Sequence, residues 1–254
     1  NRWRFRPSGR PSLAHRHHGP HRPRKQRFDA VGGVGRDSRL AEVVLPVSVG
    51  HNSGMEETPT LRGKRVLLRP VETQDFGAWQ EIRQRNRQWL TQWEPRREAG
   101  SVDPSQDEKA FAVRCRSRQR ERQLGVGWGF GVFVEDALVG EININNVVRG
   151  AFQSAHVGYW VDEKQAGQGY TPEALAVLLR FAFDVVGLHR IQISIVPRNV
   201  ASRRVVEKLD LRCEGLAERY LEISGTWEDH LKFAFTAEEW AVRREEFARR
   251  WLEV

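Results

Sequence analysis

The chain has 254 residues, with 41 Lys and Arg against 33 Asp and Glu, and a net charge of +8. That length holds one large domain or two small ones, and 39% hydrophobic residues with nine Trp suffice for a sizeable core. The charge points to nucleic acid only until it is located: residues 1–50 carry 11 basic and 3 acidic residues and residues 51–254 carry 30 of each, so the body is neutral, which argues against a long basic groove.

Residues 1–57 are rich in Arg, His, Pro and Gly and lack helical periodicity, the composition of a disordered tail; residues 58–254 form the expected domain. No apolar run of signal-peptide length and no transmembrane run is visible, so neither secretion nor a membrane partner is expected. The tail reads either as a basic arm for RNA or as a segment without function. The second reading is favoured, since a charge run alone is weak evidence of binding. The single methionine, Met55, stands just before the first regular element, as it would if upstream sequence were read in frame. His15, His17, His18 and His21 read as incidental to the tail. Cys115 and Cys213 lie on separate elements and make no disulfide framework or metal quartet; a reducing cytoplasm and no metal are expected.

In chain order, Leu61–Val71 reads as a first strand stopped by Pro70, and 74–90 as a helix with Phe76, Trp79, Ile82 and Trp89 as apolar positions. Residues 106–123 read as a second, basic helix. Residues 128–135 and 138–146 form a hairpin around Asp136-Ala137. A strand over Ala155–Val161 precedes the glycine turn Ala166-Gly167-Gln168-Gly169-Tyr170-Thr171 and a helix over Thr171–Val186, with Thr171 as N-cap and Pro172 at the first helical position. Then follow a strand at Arg190–Val196, a helix at Ala201–Leu209, a hairpin of 211–221 with 226–235, and a final helix from Ala237. Strands first, then alternating helix and strand, imply an α/β fold: a mixed sheet with helices on both faces.

Strand, glycine turn and helix start form an anion-binding arrangement, because glycines let backbone N–H groups converge and the helix dipole favours phosphate. Glycine also simply makes turns, so this signal gains weight only from what surrounds it. The surrounding motifs are Gly158-Tyr159-Trp160, Gly169-Tyr170, Glu173-Ala174, Asn199-Val200-Ala201-Ser202, Glu207-Lys208-Leu209 and Glu214-Gly215. With these in order, the chain resembles the GNAT N-acetyltransferases from about Leu61 to about Trp240, and within them the RimJ/RimL type, which acetylates N-terminal amines of ribosomal proteins. Arg219-Tyr220-Leu221, Gly225-Thr226-Trp227 and Asp229-His230 lean towards the RimJ branch. Two departures stand out. Ala166 replaces the Gln or Arg that usually opens the phosphate loop, and Val206 stands where many relatives have a general-acid tyrosine.

The resemblance implies the GNAT fold and acetyl-CoA as co-substrate, with direct attack by the amine and no acyl-enzyme. It implies that Val161 and the loop Ala166, Gly167, Gln168, Gly169, Tyr170 and Thr171 bind coenzyme, joined by Asn199 and Ser202, with Ser202 as proton donor to the thiolate. Tyr159-Trp160-Val161 would lie on a strand that splays from the strand after Arg190, leaving a backbone N–H for the developing oxyanion. Glu163 would take the amine proton; otherwise it is a solvated turn residue. Ser202 and Asn199 also suit a helix start with no further role. Trp89, Trp93, Tyr159 and Trp160 would border the acceptor, although buried core tryptophans are equally common. Asp229-His230 reads as a strand pair facing opposite ways. A ribosomal or other protein N-terminus is the expected acceptor, on a cytoplasmic monomer or homodimer. Small amines (an aminoglycoside or polyamine) and a non-catalytic ribosome- or RNA-binding role are the alternatives.

Overall fold

The structure, a computed structural model, describes residues 59–252. The tail, its histidines, Met55 and the boundary at residue 57 lie outside the described residues.

The strand expected over Leu61–Val71 is two strands, β1 (Leu61–Arg62) and β2 (Leu67–Arg69). The chain turns between them because a buried carboxylate captures it: the N–H groups of Arg65 and Val66 donate to Glu173 at 2.5 and 3.0 Å. A Cβ on Gly63 would lie 2.8 Å from Glu173 Oε1, so glycine is what lets the turn close there. A 3₁₀ turn (Thr73–Asp75) leads into α1 (Phe76–Arg85) and α2 (Arg87–Thr91). The single helix expected over 74–90 breaks at buried Asn86. Its amide donates to the Ile82 carbonyl at 2.9 Å and to Asp162 at 2.7 Å, and its oxygen accepts the Glu163 N–H at 2.9 Å. Those tertiary partners outweigh continuation of the helix. α3 (Glu108–Gln123) begins at Asp107, whose side chain caps the Ala110 N–H at 2.7 Å.

β3 (Trp128–Val134), β4 (Ala137–Val148) and β5 (Ser154–Val161) form an antiparallel meander. α4 (Tyr170–Arg180) continues as a π-helical turn over Phe181–Val185, followed by β6 (Arg190–Ile195) and α5 (Val200–Lys208). β7 (Arg212–Ile223), β8 (Thr226–Thr236) and α6 (Ala237–Trp251) close the chain. Among the described residues the strands make one eight-stranded sheet in the order β1-β2-β3-β4-β5-β6-β8-β7. Only β5 and β6 pair in parallel, and α4 supplies the crossover such a pair requires. The mixed sheet with helices on both faces agrees with the fold class read from the sequence.

Two clusters of buried side chains hold the helices to the sheet. On one face, Ala174, Leu175, Leu178 and Leu179 of α4 pack with Ile142, Ile144, Ile191 and Ile193 of the sheet and with Trp240 and Phe247 of α6. α4 is buried on every side from Pro172 to Leu179, sandwiched between sheet and α6. On the other, Trp79 and Ile82 of α1 and Phe111 of α3 meet Phe133 and Leu138. The period of two in β4 sends Ile142 and Ile144 to the first face and Glu141 and Asn143 to the second.

Candidate active site

The parallel pairing of β5 with β6 covers Ser154↔Arg190, Ala155↔Ile191 and His156↔Gln192, and then stops. Beyond it β5 stays paired with β4 as far as Val161, while β6 stays paired with β8 as far as Ile195. The two strands therefore diverge after His156. Backbone donors and acceptors on their facing edges have no strand partner, an arrangement that takes up an extended chain by edge pairing. The expected splay is present at the expected strands.

The glycine turn lies beyond the end of β5. Asp162 caps a short 3₁₀ turn (Glu163–Gln165), Ala166 is extended, and Gly167 and Gly169 have φ of +83° and +88°. Both glycines sit in the left-handed region that other residues rarely adopt. α4 begins two residues earlier than the expected cap implies. Gly169, not Thr171, is the N-cap, and Pro172 is the third helical residue. No side chain caps this helix. Proline still removes no helical bond there, because first-turn N–H groups have no intrahelical acceptor. The Tyr170 and Thr171 N–H groups thus stand at a helix start whose dipole favours an anion.

Arg65 adds charge at this point. Its Nη1 donates to the Gln168 carbonyl at 3.1 Å, its guanidinium pairs with buried Glu173 at 2.9 Å and lies 5.0 Å from the Tyr170 ring centre. Sequence reasoning gave Arg65 no role: it is 103 residues from Gln168. Glu173, noted only as part of a motif, is the residue that ties the loop helix to the β1–β2 turn.

At the start of α5, Asn199 is the N-cap and its side-chain oxygen accepts the Ser202 N–H at 3.0 Å. That oxygen is engaged, leaving the amide N–H₂ to meet a ligand carbonyl. Ser202 lies in the first turn. Tyr159 crosses to it from the splayed half of β5, its hydroxyl 3.1 Å from both the Ser202 carbonyl and the Ser202 Oγ. Burial pushes the Tyr159 phenol well above its usual range, so it remains a neutral donor. Val206, where a tyrosine was missing, is fully buried in the core; the phenol that reaches the serine comes from the strand instead.

Trp160 points to the opposite face, as neighbours on a strand must. Its indole N–H donates to buried Glu141 at 2.9 Å, which also pairs with Arg114 at 2.6 Å. Burial alone would push the Glu141 carboxyl up, but the Arg114 charge and the hydrogen bonds hold it below the ordinary carboxylate range. Tyr159 and Trp160 therefore do not share one wall. A cavity of about 290 Å³ lies beside Glu141 and Arg114, under α3, and none of the expected site residues lines it.

Glu163 is exposed on the turn after β5. Its backbone is fixed by Asn86, and its neighbour Asp162 is buried against Arg85 at 2.5 Å. Burial would raise the Asp162 carboxyl, but the bonds from Arg85 and Asn86 outweigh it and hold it low. No hydrogen bond joins Glu163 to Ser202 among the described residues; the two stand at different points around the splay. The aromatics expected to border the acceptor also separate. Trp89 is half-buried on α2, whereas Trp93 lies under Arg198, 4.6 Å from guanidinium to ring centre, and Arg198 pairs with Glu228. Glu94, beside Trp93, is engaged by Arg83 at 2.6 and 2.8 Å. The β7–β8 turn bridges to this segment: Ser224 donates from its N–H to the Glu94 carbonyl at 2.9 Å and from its hydroxyl to the Thr91 carbonyl at 2.7 Å. Asp229 and His230 have separate partners, the Arg219 N–H and the Glu228 carbonyl.

A splayed parallel pair with an uncapped helix start at its mouth defines a class of acyl-transfer fold, and the comparisons agree. Residues 65–212 match the acetyltransferase (GNAT) domain family, and the chain belongs to that family. It is an acetyl-CoA-dependent N-acetyltransferase. The chain is 37% identical to the RimJ of Mycobacterium smegmatis, solved in complex with CoA-disulfide, with a TM-score of 0.67 over 76% of this chain and 94% of that one. It is 32% identical to the probable N-acetyltransferase YjcK of Bacillus subtilis over 67% of this chain and 93% of that protein. It is 31% identical to the ribosomal protein uS5-alanine N-acetyltransferase of Escherichia coli over 71% of this chain and 92% of that protein.

Proposed function

We propose that the protein acetylates the N-terminal α-amine of a ribosomal protein in the cytoplasm. One observation carries the site assignment: the divergence of β5 from β6 after His156, with an uncapped glycine turn beyond β5 and a serine-bearing helix start beyond β6. The residues present fit acetyl-CoA, because the N–H groups of an uncapped helix start suit a phosphate and the strand edges suit an extended polar partner. In this reading the N–H groups of Gly167, Gly169, Tyr170 and Thr171 hold the pyrophosphate. The edge of β5 through Val161 pairs with the pantetheine amides, aided by the Asn199 amide, and a β5 backbone N–H steadies the developing oxyanion. When bound, the thioester supplies the acetyl group. Glu163 takes the proton of the attacking amine, through water, and Ser202 donates to the departing sulfur.

An α-amine has a pKa of roughly 8 against roughly 10.4 for lysine, so one exposed carboxylate suffices for an N-terminal acceptor. Trp93, Arg198 and the β7–β8 turn frame the acceptor side, with Trp89 nearby on α2. The names of the E. coli and M. smegmatis relatives support a ribosomal acceptor. One chain supplies the loop, splay and rim, so the reading needs no second copy, RNA contact or membrane. Burial raises the Cys115 thiol, so it is a poor nucleophile, which suits direct attack without an acyl-enzyme.

The test is initial-rate measurement with peptides beginning Ala, Ser, Thr or Met, their N-terminally blocked forms, an aminoglycoside and a polyamine. Turnover on one or more free N-termini, lost on blocking, is expected. Turnover confined to the small amines contradicts the proposal.

A further inference from the structure

The Tyr159 phenol has a single proton and two acceptors on one residue, the Ser202 carbonyl and the Ser202 Oγ, each 3.1 Å away. Two hydrogen-bond arrangements therefore exist. In one, Tyr159 donates to the carbonyl and accepts the serine proton, so the serine hydroxyl is directed at the phenol. In the other, Tyr159 donates to Oγ, and the serine hydrogen is released to point elsewhere. The two differ by rotation of two hydroxyls, and the second gives up one Tyr159–Ser202 hydrogen bond, which a bond from the serine hydroxyl to the coenzyme sulfur would replace.

We infer that Tyr159 is a positioning residue for Ser202: it turns the serine hydroxyl towards the coenzyme sulfur and, by donating to Oγ, strengthens that hydroxyl as a donor. This rests on the reading of Ser202 as the group that meets the sulfur. The geometry supports it from three sides. Tyr159 sits in the half of β5 that has left β6, so its ring crosses the opening instead of lying under a strand. Its backbone is fixed by pairing with Ile142 of β4, and its ring packs against the main core, so the hydroxyl is held in place. Ser202 is itself fixed by the Asn199 cap, leaving the hydroxyl rotor as its main freedom. A donor that itself accepts a hydrogen bond is polarised by it, and the effect grows out of water. The raised phenol pKa keeps the O–H present over the range in which the acceptor amine titrates.

The experiment is a double-mutant cycle of Tyr159→Phe and Ser202→Ala on the whole chain, with kcat and both KM values measured from pH 6 to 9. Phenylalanine keeps the ring and its packing, and circular dichroism melting of each variant reads folding separately. Tyr159→Phe is expected to lower kcat about five- to tenfold, the scale of one buried neutral hydrogen bond, with both KM values within twofold. In the Ser202→Ala background the same change is expected to have no further effect. An equal loss in both backgrounds overturns the inference, as does wild-type kcat for Tyr159→Phe while Ser202→Ala is slow. Wild-type turnover for Ser202→Ala overturns the reading of the serine, and the inference with it.

Discussion

In the proposed assignment, the coenzyme side and the acceptor side of the splay are built in different ways. On the coenzyme side the ligand-facing groups are mostly backbone: two left-handed glycines, an uncapped helix start and an unpaired strand edge. On the proposed acceptor side the rim is made by side chains brought together from distant segments: Trp93 from the stretch after α2, Arg198 from the turn after β6, Glu228 from β8, and Ser224 from a hairpin turn. A backbone site can be specified by a short run of residue types, since only the conformation must be fixed. A side-chain site depends on which segments tertiary packing juxtaposes.

The largest expected effect breaks the backbone side. Gly169→Glu forces a side chain onto a φ of +88°, 3.2 Å from the Arg65 guanidinium, and sets a negative charge at the helix start. Coenzyme affinity should fall at least about a hundredfold by calorimetry; unchanged affinity would remove the loop from the site. Next comes the acceptor proton. Glu163→Gln keeps the shape and removes the base, so turnover on the best peptide should drop toward the low end of about 10²–10⁴-fold at pH 6. The defect should shrink by pH 9 as the α-amine, pKa roughly 8, deprotonates unaided. A defect constant across pH would argue for a structural role.

These two sides were unequally legible in the sequence. The glycine turn and the Asn199–Ser202 helix start are readable because each is a local pattern of conformation, whereas the splay of the strands follows from the family resemblance. Gly63 and Asn86 were not: the first splits a strand and the second breaks a helix through partners at Glu173 and Asp162, more than seventy residues away. Val206 on α5 stands where many relatives have a tyrosine, whereas the fold brings a phenol to Ser202 from β5, forty-three residues earlier in the chain. Neighbouring Tyr159 and Trp160 were grouped by sequence, but strand alternation sends them to opposite faces.

Smaller effects sharpen the contrast. The Asp162 carboxyl is held low by Arg85 and Asn86, so its stabilisation is present above the ordinary carboxylate pKa and lost as pH falls through its lowered folded value. Asp162→Asn should lower the melting temperature at pH 7, and the gap to wild type should narrow below about pH 4. A gap independent of pH would assign the effect to packing. The smallest change expected is none. A chain beginning at Met55 should melt and turn over peptide as the full chain does, and loss of either would place part of residues 1–54 within the domain.

The separation of the two sides is tested most directly by initial rates with acetyl-CoA and peptide both varied, for Arg65→Ala and Trp93→Ala. Arg65→Ala should raise the KM for acetyl-CoA several-fold and leave that for peptide within twofold. Trp93→Ala should do the reverse. If either variant moves both constants together, or Trp93→Ala moves only that for acetyl-CoA, the division into a backbone-built coenzyme side and a side-chain-built acceptor side is wrong.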